Sequence, residues 1–337
     1  MTEPATRLQQ RLVGIVRSFS GKKLVILGDA IADRFLYGSI SRVSREAPVF
    51  ILRHEQTETI PGGAANCAVN LASLGATVAL VSITGNDATG EALKAKLDAA
   101  GVDTASLLNV DGLQTTTKVR ILAGHAHSNR QQVIRIDYED APINDSKLRD
   151  KILDHLKNQV SDASAVVVSD YNYGVVDEAA VEWLRAAETS LPVLVDSRFR
   201  LRSLSGLTAA TPNEDELENL IAGPISSLQD LESAAAELQK QLGYRALLVT
   251  RGGRGMMLLE NDTSPIHIPA VGAAQPVDVT GAGDTVIATF ALSLASGASY
   301  SEAARLANFA GGLVVMKRGT ASVTAAELEH SILNSET

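Results

Sequence analysis

The stretch "KLVILGD" (residues 23–29) decides the fold. From Leu24 to Leu27 every side chain is apolar, with no polar residue alternating between them. A strand with one wet face alternates. A strand that is apolar throughout is covered on both faces, as in a parallel sheet flanked by helices. Similar runs recur outward from it: "TVALVSI" (77–83), "AVVVS" (165–169), "PVLVD" (192–196), "LTAAT" (207–211) and "ALLVT" (246–250). Helical patterns over 64–75, 88–100, 177–190, 213–222 and 228–242 separate many of them, which predicts an α/β chain with a mostly parallel sheet. Residues 34–60 and 113–139 break the rhythm. They are rich in Arg, Thr, Gln and His and alternate like exposed strands, which predicts a small β layer beside the main sheet. "RGGRG" (251–255) is followed by the strand-like "MMLLE", so it reads as a hairpin and not as a dinucleotide fingerprint, which must open a helix.

The 337 residues are 45% apolar and 20% charged, enough for one large α/β domain or two ordinary ones. No run of 18 apolar residues predicts a membrane span. The first residues have no uninterrupted apolar core or cleavage-type site, which argues against a signal peptide. They read as a short amphipathic helix on Leu8, Leu12, Ile15, Val16 and Phe19. A single cysteine, Cys67, excludes an intrachain disulfide framework, fits a reducing cytoplasm, and reads as a small packed apolar residue. The net charge of −9 argues against a nucleic-acid partner. "GNDATGEA" (85–92) has Glu91 where a phosphate-binding loop needs Lys, and no Cys/His cluster has metal spacing.

The apolar strands end alike. Asp29 follows the first, with Asp33 four residues on; Asp170 follows "VVVS", Asp196 follows "VLV", and "PNEDE" (212–216) follows "LTAAT". Any one of these is an ordinary helix cap. Together they mark the carboxyl edge of an open sheet, where ligands bind.

Two glycine motifs open helices. In "DVTGAGDTVIATF" (278–290) the amides from Gly281 onward enter a helix, unpaired and at the positive end of its dipole, and so suit a phosphate. A carboxylate there, Asp284, would repel that anion as a ligand. It makes sense as a base for a hydroxyl about to attack the phosphate. The bland alternative is an N-capping Asp after a glycine turn. In "PGGAANCAVNLASLG" (61–75), Gly62 and Gly63 allow close approach and Asn66 offers a donor and an acceptor, which suits a polyhydroxyl compound.

These two motifs, in this order and more than 200 residues apart, resemble the signatures of the ribokinase-like, or PfkB, carbohydrate kinases. The resemblance runs from about Lys23 to about Glu329. Within that family "GDAIADRFLYGSISRVSREAPV" (28–49), "TTTKVRIL" (115–122), "QQVIRIDYE" (131–139), "VVVSDY" (166–171) and "TPNEDE" (211–216) look most like the kinases of D-glycero-β-D-manno-heptose 7-phosphate. Those are one half of a bifunctional kinase/adenylyltransferase, and the chain length suggests a kinase-only form.

The resemblance implies a three-layer α/β/α sandwich with a small β-sheet lid. It implies one domain over 1–337, with 1–20 a helical extension and about 34–60 and 113–139 forming the lid. ATP would donate its γ-phosphoryl group, with Mg²⁺ required. Asp284 would be the base, and the amides of Gly281, Ala282 and Gly283 the anion hole. Asn213 and Glu216 would organise Mg²⁺, largely through water. Thr250, Gly252 and Gly255 would line the nucleotide site, with Asn308 near the adenine. Asp33, Gly62, Gly63 and Asn66 would hold sugar hydroxyls. Asp278 and Thr280, with Gly319 and Ser322, match the place of a monovalent cation such as K⁺. A sugar phosphate needs cations around it, for which Lys118, Arg120, Arg42, Arg45 and Arg198 are candidates, with Asp170 on the same crest. Lys118 and Arg120 share a strand face. Pairing of lids would make a homodimer.

The chain departs from the heptose kinases at "DSR" (196–198), where they show Asp-Pro-Lys, and at "NY" (172–173), where they show Ala-Lys. "AGHAHSNR" (123–130) is a few residues longer and brings His125 and His127, read as loop residues. These departures fall where an acceptor is selected. Another sugar phosphate, a hexose or a nucleoside stands as the alternative acceptor, and a non-catalytic sugar sensor as the alternative class. The sensor should show a damaged "GAGD" or N-x-x-E, and both are intact.

Overall fold

The computed structural model describes residues 6–124, 130–187, 191–261, 263–272 and 275–335. His125 and His127 lie outside the described residues. The strands in chain order are β1 (Lys23–Gly28), β2 (Ala30–Val43), β3 (Phe50–Gly63), β4 (Thr77–Gly85), β5 (Val102–Asp103), β6 (Leu107–Val110), β7 (Thr117–Gly124), β8 (Gln131–Tyr138), β9 (Ala165–Asp170), β10 (Val193–Ser197), β11 (Ala209–Ala210), β12 (Ala246–Thr250), β13 (Met256–Glu260) and β14 (Ile266–Ile268). The helices are α1 (Arg7–Arg17), α2 (Ala64–Ser73), α3 (Ala88–Ala99), α4 (Ser146–Val160), α5 (Glu178–Ala187), α6 (Glu214–Ile221), α7 (Leu228–Leu242), α8 (Ala282–Ala295), α9 (Tyr300–Val314) and α10 (Ala325–Leu333).

The main sheet runs β14-β13-β12-β11-β10-β9-β1-β4-β5, with β6 also paired to β4. It is parallel from β12 to β5 and antiparallel only in the β12-β13-β14 edge, so the "RGGRG" segment is the expected hairpin. Its apolar strands serve two cores. Leu24 and Ile26 of β1 join the cluster under α1, α2, α3, α8, α9 and α10. Val25 and Leu27 join the one under α4, α5, α6 and α7. The alternate residues of one strand point to opposite faces, so both faces had to be apolar. Helices α4, α9 and α10 lie outside the helical patterns read from sequence, and α4 is the most charged of them. Its buried residues Ile152, Leu156 and Val160 form a single narrow stripe in a charged segment.

The second sheet has the order β3-β2-β7-β8. Its strands reach further than 34–60 suggested. β2 starts one residue after Asp29, and β3 runs straight into α2, so the sheet is rooted in the carboxyl crest of the main sheet. The registers Asp33↔Lys118 and Phe35↔Arg120 across β2 and β7, and Arg120↔Arg135 across β7 and β8, put these side chains on one face.

Candidate active site

The apolar segment after Gly281 folds as α8, with Gly281 as its N-cap in the left-handed region at φ 76°. A Cβ at Gly281 would stand 2.5 Å from Asn66 Nδ2, so glycine is what lets the helix start against α2. Asp284 is the third residue of the helix and caps nothing. Its carboxyl is buried and accepts Asn66 Nδ2 at 2.7 Å and the Tyr171 hydroxyl at 3.0 Å. Burial lifts it from the ordinary 3.8 to about 6, against the pull of these two donors. Such a group is ionised at neutral pH and better matched to taking a proton than a surface carboxylate.

The amide of Ala282 donates to the Val279 carbonyl at 3.2 Å, so it is not open in the way the sequence suggested. Among the described residues no acceptor takes the amides of Gly281, Gly283 and Asp284. These three donors front two cavities that share Thr250, Val279, Ala282 and Gly283. The first, about 440 Å³, is walled by Met256, Val271, Val286 and Val315, with Gly252, Gly255 and Asn308 at its rim. Asn308 is buried and donates to the Pro269 carbonyl at 2.7 Å. This apolar chamber beside a helix N-terminus suits a base and ribose whose phosphates reach Gly283.

The second cavity, about 240 Å³, is lined by Asp170, Tyr171, Asp196, Arg198, Asn213, Glu216 and Asp284. Asn213 and Glu216 form a capping box at the start of α6, Glu216 N–H to Asn213 Oδ1 at 2.8 Å and Asn213 N–H to Glu216 Oε2 at 3.0 Å. Burial raises the Glu216 carboxyl, and burial with Glu216, Asp284 and Asp170 nearby raises Asp196 well above the ordinary value. Among the described residues no three acids stand close enough to hold a metal ion among themselves. Glu216 and Asn213 offer hard oxygen donors that fit Mg²⁺ only with water filling most of its positions.

Asp170 lines this chamber without being available to a ligand. It accepts Ser197 Oγ at 2.7 Å, Arg200 Nη2 at 2.7 Å and Arg200 Nε at 3.2 Å, a saturated buried carboxylate that ties β9 to β10. Asn66, expected on sugar hydroxyls, already uses one N–H on Asp284 and one lone pair of Oδ1 on Asn70 Nδ2 at 3.1 Å, leaving one donor and one acceptor position. The base therefore owes its position to Asn66.

On the small sheet, Asp33 is buried and bound by Arg120, whose guanidinium also lies 5.5 Å from the Phe35 ring centroid. A Cβ on Gly62 would stand 2.5 Å from Asp33 Oδ2, which keeps that position open for the carboxylate. Gly63 lies beside it at the start of α2. Lys118 sits half-buried over the Tyr171 ring, and burial lowers it despite the pull of Asp33 and Asp137. Arg135, which the sequence reading did not single out, extends the row and pairs with Asp137 at 2.8 Å. Arg42 belongs elsewhere. It is exposed toward the far end of β2, roughly 30 Å of extended strand from Asp33. Arg45 is exposed beyond β2, and Arg198 lies over the Phe199 ring at the mouth of the acidic chamber.

Asp278 accepts the amides of Thr280 and Gly319, both at 3.0 Å; burial opposes its ionisation, but these donors hold it below the ordinary value. Ser322 does not join them. Its carbonyl is taken by the Lys317 ammonium at 2.7 Å and its hydroxyl by Ser73 at 2.8 Å.

Residues 22–326 match the model of the pfkB family carbohydrate kinases. Bifunctional protein HldE of Hahella chejuensis is 39% identical over 317 residues, 93% of this chain and 64% of its own length. That of Caulobacter vibrioides is 40% identical over 325 residues, 95% and 65%. The chain thus spans just under two-thirds of the length of these relatives. Arabidopsis thaliana ribokinase complexed with ribose and ATP superposes with a TM-score of 0.71 at 23% identity, over 94% of this chain and 100% of that one. Phosphofructokinase-2 of Escherichia coli in complex with substrates and products gives 0.75 at 20% identity, over 92% and 98%. At these identities the likeness establishes the fold: a ribokinase-like α/β/α sandwich with a smaller separate sheet.

Proposed function

Because the chain belongs to the pfkB family of carbohydrate kinases, an ATP-dependent class, we propose that its acceptor is a sugar phosphate, D-glycero-β-D-manno-heptose 7-phosphate, phosphorylated at the 1-hydroxyl. The observation that carries this reading is the basic row Lys118, Arg120 and Arg135 on the small sheet, with Lys118 over the Tyr171 ring that leads to Asp284. Arg120 and Arg135 are already paired with Asp33 and Asp137, so the row keeps a net positive charge centred on Lys118, which a phosphorylated sugar would meet and a plain hexose would not need. The similarity to the HldE proteins favours the heptose among sugar phosphates.

Asp284 takes the proton of the attacking hydroxyl. The free amides of Gly281, Gly283 and Asp284 receive the charge of the transferring phosphoryl group. Asp33, with one oxygen on Arg120, orients sugar hydroxyls beside Gly62 and Gly63. Thr250, Gly252, Gly255 and Asn308 line the nucleotide chamber. Glu216 and Asn213 would hold Mg²⁺ largely through water, and the ion would supply neutralisation of the phosphate charge. A monovalent cation would sit beside Asp278 and Thr280, without Ser322; phosphofructokinase-2 of E. coli is known in complex with potassium.

The chain acts as one kinase domain, with residues 34–60 and 113–139 as its lid. Val133, Ile134 and Ile136 of β8 are exposed, and both outer strands of the small sheet have open edges, so two copies pair through their lids. The test is a phosphorylation screen with Mg·ATP that sets heptose 7-phosphate against fructose 6-phosphate, ribose, fructose and nucleosides. Preference for an uncharged sugar would refute the basic-row argument. No turnover of any acceptor would favour a sensor.

A further inference from the structure

Asp284 is gripped at both oxygens, by Asn66 and by Tyr171. Tyr171 stands on the turn after β9, and the turn is held by an acid outside both cavities. Asp29, buried at the end of β1, accepts the amides of Tyr171 at 2.8 Å and Tyr173 at 3.2 Å on Oδ2, and that of Val175 at 3.2 Å on Oδ1. Three amides on one carboxylate fix the path of 171–175, which includes left-handed Asn172 at φ 68°. From the other side the Lys118 ammonium lies 5.4 Å from the Tyr171 ring centroid. The phenol O–H is thus aimed from its backbone and from its ring.

We propose that Tyr171 is a positioning residue for the transfer reaction: its hydroxyl keeps the Asp284 carboxylate ionised and in one orientation, and Asp29 fixes where that hydroxyl stands. The assignment of a role in transfer rests on the kinase reading above; the linkage between the three side chains does not. Burial works against ionisation of Asp284, and its surroundings divide. Asp33 on β2 raises it and Lys118 on β7 lowers it. Asp196 on β10 and the Cys67 thiol on α2 also face it, and burial pushes both of their own values up. The donors are Asn66 and Tyr171, and a hydrogen bond to the charged form favours that form. Burial also raises the phenol well above its ordinary value, which keeps it a donor.

The test is a titration of the free protein labelled with ¹³C at aspartate carboxyls, the Asp284 signal being the one lost in Asp284→Asn. Tyr171→Phe keeps the ring under Lys118 and should move the Asp284 midpoint up by about one pH unit. With Mg·ATP and heptose 7-phosphate, the acid limb of kcat/KM should move up equally, with KM for ATP unchanged. Replacement of Tyr171 by 3-fluorotyrosine, a stronger donor of nearly the same shape, should move the midpoint down. Tyr173→Phe, which loses only a hydrogen bond to Glu139, should leave it in place. A midpoint unmoved by both changes at Tyr171 overturns the proposal, as does a rate loss equal at every pH. The titration needs no turnover, so its failure is distinct from that of the acceptor screen.

Discussion

Asp284→Asn changes one atom and should have two separable effects. The first is on rate: loss of a general base costs roughly 10²–10⁴-fold. The second is on stability. The folded carboxyl is raised from 3.8 to about 6, a difference of about two units, or about 3 kcal/mol. A group raised in the folded state contributes stability that is fully present below its unfolded value and is lost as pH rises through its folded value. The wild type therefore loses this amount between about pH 4 and about pH 7, and the non-titrating Asn does not. The amide also meets two donors, Asn66 and Tyr171, and one of them loses its acceptor at about 1–3 kcal/mol. That penalty is the same at every pH, so the slope reports the carboxyl together with its coupling to Asp196 and Asp33, while acids that do not face it cancel in the difference. Urea unfolding of both proteins, followed by far-UV circular dichroism across this range, should show the variant gaining on the wild type as pH rises. A flat difference would refute the buried, raised base. Turnover within about tenfold of wild type would refute its role.

Lys118→Ala and Arg120→Ala should each raise KM for a phosphorylated acceptor by roughly 10–100-fold while KM for ATP stays near wild type, as initial rates would show. Glu216→Gln keeps an oxygen for the capping box but removes the charge. It should raise the Mg²⁺ concentration for half-maximal velocity by about tenfold, read by magnesium titration at fixed ATP. Gly281→Ala forces a side chain into the left-handed region and against Asn66 Nδ2, and should cost about 1–3 kcal/mol by thermal unfolding, with a fall in kcat as Asn66 moves from the base.

The fold was legible because burial on two faces writes itself into composition. Leu24 to Leu27 serve two cores at once, so none can be polar. Helix α4 was missed although Ile152, Leu156 and Val160 stand at helical spacing, because its stripe is narrow and the segment around it is charged. Gly281 was legible for a related reason: a helix start pressed on a neighbour admits no Cβ there, and the residue type records it. The partners of the base were not. Asn66 lies 218 residues from Asp284, and Tyr171 lies 113 away. Sequence offered Asn66 and Asp170 as ligand-binding groups because each can form hydrogen bonds. Whether those bonds are already made inside the protein depends on what the fold brings within reach.

By itself, then, the sequence determined the parallel sheet, the glycine-led helix with its acid, and the presence of basic residues on alternating strands, all properties written within a few neighbouring residues. Only the tertiary structure decided which acids are satisfied and which remain open. It joined Asp170 to Arg200, left Glu216 raised in a chamber of acids, and set Lys118 over the ring that holds Asp284. The reason is range: strand and helix patterns come from contacts along the chain, whereas the charge and availability of a buried carboxylate are set by groups that meet only when distant segments pack together.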